Sequence, residues 1–155
     1  MTSVPSPEPG PLGFPEATGE RVDLAFPLRP DLRYLARMTA AAVAAKADFG
    51  IDQVEDLRLA IDELCITVAG EEGGAGRLHL SFEWEAQSLT VIATAVPDGV
   101  GPAELSTPSG STPAAAPAPS DLSARILDAL VDEHGTDSVG GAARAWMVLR
   151  RRDRS

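Results

Sequence analysis

The stretch VEDLRLAIDELCITVAG, residues Val54–Gly70, predicts the helix around which this chain folds. Its apolar residues recur every three or four positions, which places them on one stripe of a helix packed against a core. The same periodicity sets Asp56, Glu63 and Thr67 along one edge of that helix. This edge is either a solvated helix face or the floor of a site, and residues elsewhere in the chain bear on the choice.

Composition and charge limit what the protein can be. With 155 residues and 44% hydrophobic content, the chain suits one domain with a modest core. Its 13 basic residues against 23 acidic ones give a formal charge of -10, so the basic surface needed to bind nucleic acid or an anionic membrane directly is missing. No apolar run reaches the roughly 18 residues of a membrane helix, and no secretion signal opens the chain. We therefore expect a cytoplasmic protein.

Cysteine usage agrees with that location. Cys65 is the only cysteine, so no disulfide can form within the chain, and a reducing compartment fits. Its place on the apolar stripe of the predicted helix favours a small buried core residue over a catalytic thiol.

The first part of the chain is divided by periodicity and turn residues. Residues 1–19 are rich in Pro, Gly and Glu without periodicity, which predicts a disordered tail before a domain at 20–152. RVDLAF predicts a strand, and the segment that starts at Asp31 predicts a first helix to about Asp48. After the second helix, RLHLSFEWE and SLTVIATAV predict a β-hairpin.

The second part begins with a long loop. Residues 102–119 are rich in Pro, Ala and Ser and contain no Lys or Arg, which predicts a flexible loop that is either functional or disordered. DLSARILDALVDEH then predicts a third helix capped by Ser120 or Asp121, and GGAARAWMVLRRR predicts a last strand. The resulting order favours an α+β two-layer sandwich, with helices on one face of a mixed or antiparallel sheet.

That order, with DLRLAIDELC on the second helix and DGVG after the hairpin, resembles the anti-sigma factors of the GHKL (Bergerat-fold, histidine-kinase-like ATPase) superfamily. These are the serine-protein-kinase type of bacterial partner switches. The resemblance runs from about Val22 to Arg151, and it implies a two-layer Bergerat fold with a mixed sheet. It also implies two protein partners, an alternative sigma factor and an anti-sigma factor antagonist, and the cofactors ATP and Mg²⁺.

The resemblance assigns roles to particular residues. In that family the second helix bears a Glu that acts as general base on the attacking hydroxyl and, four residues later, an Asn that ligates Mg²⁺. Those positions hold Glu63 and Thr67 here. The family's adenine-binding Asp-x-Gly-x-Gly falls after the hairpin, where the glycines are kept as Gly99 and Gly101 while the acid is displaced to Asp98.

The departures from the family pattern concentrate at the positions that would contact the nucleotide. The Thr67 hydroxyl is a poorer ligand for a hard cation than an amide carbonyl, and it can instead bond back to the carbonyl of Glu63. The family's phosphate-binding Gly-x-Gly corresponds to Asp-Leu-Ser at 121–123, where an aspartate repels phosphate. The family's Gly-Thr that opens the last strand reads Gly-Ala at 141–142. The resemblance also implies that the flexible segment at 102–119 is the phosphate-covering lid, and this segment has no cation. These changes predict weak or absent nucleotide binding.

Three functions follow from these patterns. The favoured one is an anti-sigma factor that sequesters a sigma factor and is countered by an antagonist, without efficient kinase activity. The alternative is an active Mg·ATP-dependent serine kinase that phosphorylates the antagonist, with Glu63 as base and Asp98 as adenine acceptor. The third is an unrelated α+β domain with another ligand.

The first helix supplies the predicted partner surface. In the family this helix helps to dock the sigma factor and the antagonist, and its outer face here offers Arg33, Tyr34 and Arg37. Arg presents a rigid fork of donors and Tyr contributes contact area at a low cost in entropy, so both are common interface anchors. A solvated helix face is the other interpretation of either arginine taken singly. The oligomeric state is left open, with a homodimer as one option.

Overall fold

A computed structural model describes residues 20–99 and 119–152. The predicted tail at 1–19, nearly all of the predicted lid at 102–119, and Gly101 lie outside these residues. The described part forms β1 (Glu20–Pro27), a 3-10 turn (Pro30–Leu32), α1 (Arg33–Lys46), α2 (Ile51–Ala69), β2 (Arg77–Trp84), β3 (Ser88–Val96), α3 (Asp121–Leu130), β4 (Glu133–Val139) and β5 (Ala142–Arg150). No helix within these two ranges is both long and apolar enough to cross a membrane.

The five strands form one sheet in the order β1-β2-β3-β5-β4, and every neighbouring pair is antiparallel. The α+β class is confirmed, but the expectation of a mixed sheet is wrong. A single helix between the hairpin and a last strand would have made that strand parallel to β3. Instead β4 follows α3 and reverses the chain once more, so that β5 returns antiparallel to β3.

The sequence prediction missed β4 because its residues carry little strand signal. Helix α3 was expected to continue to His134, but it ends at Leu130, and EHGTDSV then pairs with β5 along its whole length. Gly135 permits this pairing, because a Cβ at that position would lie 2.7 Å from Cζ2 of Trp146 on β5. The strand is therefore defined by its hairpin pairing with β5 and by the adjacent indole ring rather than by its own periodicity.

Helices α1 and α2 lie against one face of the sheet. Side chains alternate between the two faces along each strand, and nearly all of the large fully buried ones belong to a single face. Helix α2 contacts β3 and β5, α1 contacts β2, and α3 packs mainly on α2. The core between the layers is built from Leu57, Ile61 and Leu64 of α2 and from Leu80, Phe82, Val91, Ala93, Ala145 and Met147 of the sheet.

A buried amide fixes the first turn of α2 to the end of β5. The Gln53 Nε2 donates to the carbonyl oxygen of Arg150 at 2.8 Å, and the backbone N–H of Arg152 donates to the Gln53 Oε1 at 3.0 Å. Both polar atoms of a buried side chain are thereby satisfied, as burial requires. This contact sets the position of α2, the helix that carries the predicted site residues.

Candidate functional site

The edge of α2 predicted from the sequence faces α3. Glu63 is partly buried there, and its Oε2 accepts a hydrogen bond of 2.6 Å from the hydroxyl of Ser123. The two residues are 60 positions apart in the chain, so only the packing of α3 on α2 brings them together. A hydrogen bond to an ionised carboxylate is shorter and about twice as strong as a neutral one. One oxygen of the predicted base is therefore already engaged by the chain itself.

The start of α3 holds the Ser123 hydroxyl in place. Ser120 is the N-cap, one of the two candidates from the sequence, and its Oγ accepts from the backbone N–H of Ser123 at 3.1 Å. The Ser120 hydroxyl also lies 3.0 Å from the Ser123 Oγ, to which it donates. Ser123 is only 7% exposed. The hydroxyls thus form a chain of donors that ends on the carboxylate of Glu63.

Thr67, the residue at the expected metal-ligand position, bonds within its own helix. Its hydroxyl donates to the backbone carbonyl of Glu63 at 2.8 Å, which is the back-bond that the sequence allowed. The hydroxyl proton is directed along the helix rather than into the space beside the carboxylate. We call the group formed by Glu63, Thr67, Ser120 and Ser123 the α2–α3 crevice.

The expected adenine-binding residues are only partly visible. Asp98 and Gly99 follow β3 directly, both exposed, and Gly99 has a φ of +82°, a backbone conformation that favours glycine. Within 20–99 and 119–152, no hydrogen bond or ion pair joins Asp98 to the crevice. The structure thus unites Glu63 and Thr67 with Ser123, a residue whose part in the crevice the sequence did not reveal.

No metal-binding cluster occurs in the described ranges. Groups of three or more His, Cys, Asp or Glu side chains that could hold an ion are absent from residues 20–99 and 119–152. His134, whose ring nitrogen lies 2.6 Å from an oxygen of Asp128, is partly buried on β4. Burial and then the nearby charge of Arg77 lower the pKa of His79.

The predicted docking residues occupy the first turns of α1, but they do not all point the same way. Tyr34 is 46% exposed. Arg37 turns toward α2, where its Nη1 donates to both carboxylate oxygens of Asp62 at 2.9 and 3.2 Å. Arg33 is partly buried and lines a small cavity together with Cys65. Tyr34 therefore projects toward solvent, while both guanidinium groups lie nearer the junction of α1 and α2.

Exposed apolar side chains extend this region beyond the residues chosen from the sequence. Met38 lies one turn after Tyr34 and is 64% exposed. The i, i+4 spacing from Tyr34 was a signal in the sequence that could have identified it. Large exposed apolar side chains on adjacent turns are more informative than an exposed arginine. We call Arg33, Tyr34, Arg37 and Met38 the α1 surface.

Cys65 is a core residue, as expected from its place on the apolar stripe. It is buried among the helices and has no disulfide partner. Burial, followed by the neighbouring charge of Asp62, raises the pKa of its thiol to about 12. A thiol held in its neutral form is a poor nucleophile, so its environment is that of a structural residue.

Comparison with known proteins gives one distant relative. The chain is 27% identical over 78 residues to the serine-protein kinase RsbW of Halalkalibacterium halodurans. The matched segment is 48% of this chain and 47% of that protein, so the chain spans about half the length of the relative it matches. No family model matches the chain. The similarity supports a relationship to RsbW-like proteins, and the α+β fold is compatible with it.

Proposed function

We propose that this protein is an anti-sigma factor, which sequesters an alternative sigma factor and releases it when an anti-sigma factor antagonist binds. The distant similarity to RsbW supports a role in partner switching. The observation that favours binding over catalysis is the 2.6 Å hydrogen bond from Ser123 to Glu63. A general base must be within reach of an incoming hydroxyl, and here a hydroxyl of the chain already holds that position. A cytoplasmic location goes with this proposal.

The α1 surface is the proposed docking site for both protein partners. Tyr34 and Met38 offer apolar area that no described part of the chain covers. Arg37 is held by Asp62, so its planar donor group is already ordered before a partner arrives. Ordering a long side chain in advance lowers the entropy lost on binding. The surface thus combines an aromatic residue, a flexible thioether and a positioned cation, the residue types enriched at interfaces.

A second function, the active kinase, is kept because the relative is named a serine-protein kinase and because Glu63 is present on α2. In that case Glu63 is the base, Asp98 accepts from adenine beside Gly99 and Gly101, and Mg²⁺ lies near Thr67. Ser123 would have to leave the carboxylate before a substrate hydroxyl could approach. The two functions therefore differ in whether partner exchange requires Mg·ATP.

The test is a pull-down from the native cytosol with the bound proteins identified by mass spectrometry. We expect a sigma factor and an antagonist-type protein to be recovered equally with and without Mg·ATP. Release of the antagonist only when Mg·ATP is present would support the kinase instead. Recovery of neither protein would overturn both proposals.

A matched pair of arginine variants shows whether the α1 surface carries the binding. Arg37 and Arg58 are both partly exposed and both paired with an acidic residue, Arg58 with Glu55 on its own helix. Arg37→Ala should reduce recovery of the partners, while Arg58→Ala should not. Equal recovery with both variants would show that the docking surface lies elsewhere.

A further inference from the structure

Helix α3 is attached to the rest of the fold by contacts of two kinds, apolar and polar. Leu127 is buried and packs into the core beside α2. The first turn has no comparable apolar anchor, since Leu122 is 68% exposed. Its attachment depends instead on the polar contacts of Ser120 and Ser123. The position of this turn therefore depends on one hydrogen bond, from Ser123 to the carboxylate of Glu63.

We propose that Ser123 acts as an internal pseudosubstrate, which closes the α2–α3 crevice from within and withholds the Glu63 carboxylate from any incoming hydroxyl. The Ser123 Oγ lies 2.6 Å from Glu63 Oε2, within the distance that a general base requires from the oxygen whose proton it accepts. The hydroxyl donates to the carboxylate and no bond is formed or broken. We call the contact of Ser120, Ser123 and Glu63 the Ser123 latch.

Three hydrogen bonds make the latch a defined arrangement. The Ser123 hydroxyl accepts from Ser120 and donates to Glu63, and its own backbone N–H is capped by the Ser120 Oγ. Hydroxyls linked in series polarise one another, which strengthens the last bond to the carboxylate. At 7% exposure the Ser123 side chain is also largely shielded from competing water. Opening the crevice therefore breaks the bond to Glu63, while the two bonds between Ser120 and Ser123 stay within α3 and keep the hydroxyl positioned.

The latch depends on the proposed function in one respect, which is the assignment of Glu63 as a base inherited from the family. It adds that one residue of the chain itself, Ser123, holds the start of α3 against α2. The same side chain stands where the resemblance expects the second glycine of a phosphate-binding Gly-x-Gly. A hydroxymethyl group at that place both occupies space beside α2 and captures the carboxylate.

The first test measures how accessible the Glu63 carboxylate is. A water-soluble carbodiimide with an amine nucleophile labels accessible carboxylates, and tryptic cleavage after Arg58 and Arg77 places Glu63 and Asp62 on one peptide. Asp62, held by Arg37, is an internal reference. In Ser123→Ala the labelling of Glu63 relative to Asp62 should rise about tenfold, since a hydrogen bond to a charged group contributes at least that factor to the closed state.

Two control variants test whether the change in labelling is specific to the Ser123 hydroxyl. Thr67→Val removes a hydroxyl from the same edge of α2 without touching α3, so its labelling ratio should remain that of the wild type. Ser123→Thr keeps a hydroxyl and should restore most of the protection. An unchanged ratio in Ser123→Ala, or an equal rise in Thr67→Val, would overturn the latch.

Amide hydrogen exchange tests the closed position of α3 independently. In Ser123→Ala, exchange over the first turns of α3, residues 122–127, should accelerate about tenfold, while α1 and β2 keep wild-type rates. Combining Ser123→Ala with Glu63→Gln should add little further acceleration, because both changes act on one interaction. Independent additive effects would contradict the latch. Partner recovery is measured separately, so loss of the latch leaves the docking proposal standing, and the reverse also holds.

Discussion

The α2–α3 crevice and the α1 surface both combine charged and polar groups, but the chain uses them in opposite ways. In the crevice, the carboxylate of Glu63 and the hydroxyl of Ser123 satisfy each other inside the fold. On the α1 surface, Arg37 is bonded to Asp62 while Tyr34 and Met38 remain about half exposed or more. Groups that the fold has satisfied internally stabilise it, whereas apolar area left exposed is available to a partner. The comparison therefore separates a crevice whose polar groups are satisfied within the fold from a face with exposed apolar side chains.

The largest expected effect is a loss of stability. It tests the orientation of α2, the helix that contacts both the crevice and the α1 surface. Leu64 follows Glu63 directly and is 1% exposed, while Leu59 on the same helix is 60% exposed. Leu64→Ala should lower the free energy of unfolding by about 2–5 kcal/mol, because it removes buried methyl groups and leaves a cavity. Leu59→Ala should change it by no more than about 0.5 kcal/mol. Urea unfolding of both variants measures the difference, and equal destabilisation would refute the orientation of α2.

Nucleotide binding tests the crevice alone. Calorimetric titration with Mg·ATP should detect no affinity in the micromolar range. Each charge-assisted contact that is lost is worth about 1.5–3 kcal/mol, so losing two weakens binding about a hundredfold or more. Asp121→Asn removes a repulsive charge without disturbing Ser120 or Ser123, and it should raise any affinity that remains. Micromolar affinity of the wild-type protein would contradict the proposal that the site has lost its ligand.

Arg37→Ala tests the α1 surface. Its ion pair with Asp62 is about one-third exposed on both sides, and such pairs contribute about 0.2–1 kcal/mol. Thermal unfolding should therefore change little. Binding to the sigma factor or the antagonist should weaken by about 1 kcal/mol or more, roughly fivefold, if Arg37 is an anchor. A titration with the purified partner measures it, and unchanged affinity would remove Arg37 from the interface.

The smallest expected effect concerns the ion pair between Asp137 and Arg144. This pair lies outside both the crevice and the α1 surface, so it serves as a reference. On β4 and β5, hydrogen bonds from Arg144 at 2.6 Å lower the pKa of the Asp137 carboxyl. A lowered pKa in the folded state means that the stabilisation is present above the unfolded value and is lost as the pH falls through the folded value. In Asp137→Asn, the free energy of unfolding should therefore fall slightly less steeply than in the wild type as the pH is lowered. If the free energy of unfolding of the variant had the same pH dependence as that of the wild type, the pair would contribute nothing to stability.

Local patterns predicted much of the fold. The apolar stripe of α2 became its buried face, the alternation in RLHLSFEWE and SLTVIATAV became β2 and β3, and Ser120 became the cap of α3. Each of these depends on residues a few positions apart, so a window of sequence contains the whole signal. The strand β4 lacked such a signal, because EHGTDSV has no alternation of apolar residues and its pairing with β5 defines it.

The candidate site was predictable residue by residue but not as an arrangement. Glu63 and Thr67 were assigned from the resemblance of DLRLAIDELC to the anti-sigma factors, and their roles stay predictions. The partner of Glu63 is Ser123, 60 positions away, and the partner of Arg37 is Asp62, 25 positions away. Neither pairing has a local signature in the sequence, since both arise from how helices pack. Whether a polar residue is satisfied inside the fold or offered to solvent therefore emerged only from the structure.

The amide of Gln53 has a consequence for when the molecule becomes complete. Its two partners lie 97 and 99 positions later in the chain. During synthesis, the residues of α2 leave the ribosome long before the end of β5 has been made. The hydrogen bonds of Gln53 in the first turn of α2 can therefore form only after β5 has emerged. Contacts of such long sequence separation form late, since the loop entropy must be overcome first. Both the crevice and the α1 surface thus reach their final positions only after β5 has been synthesised.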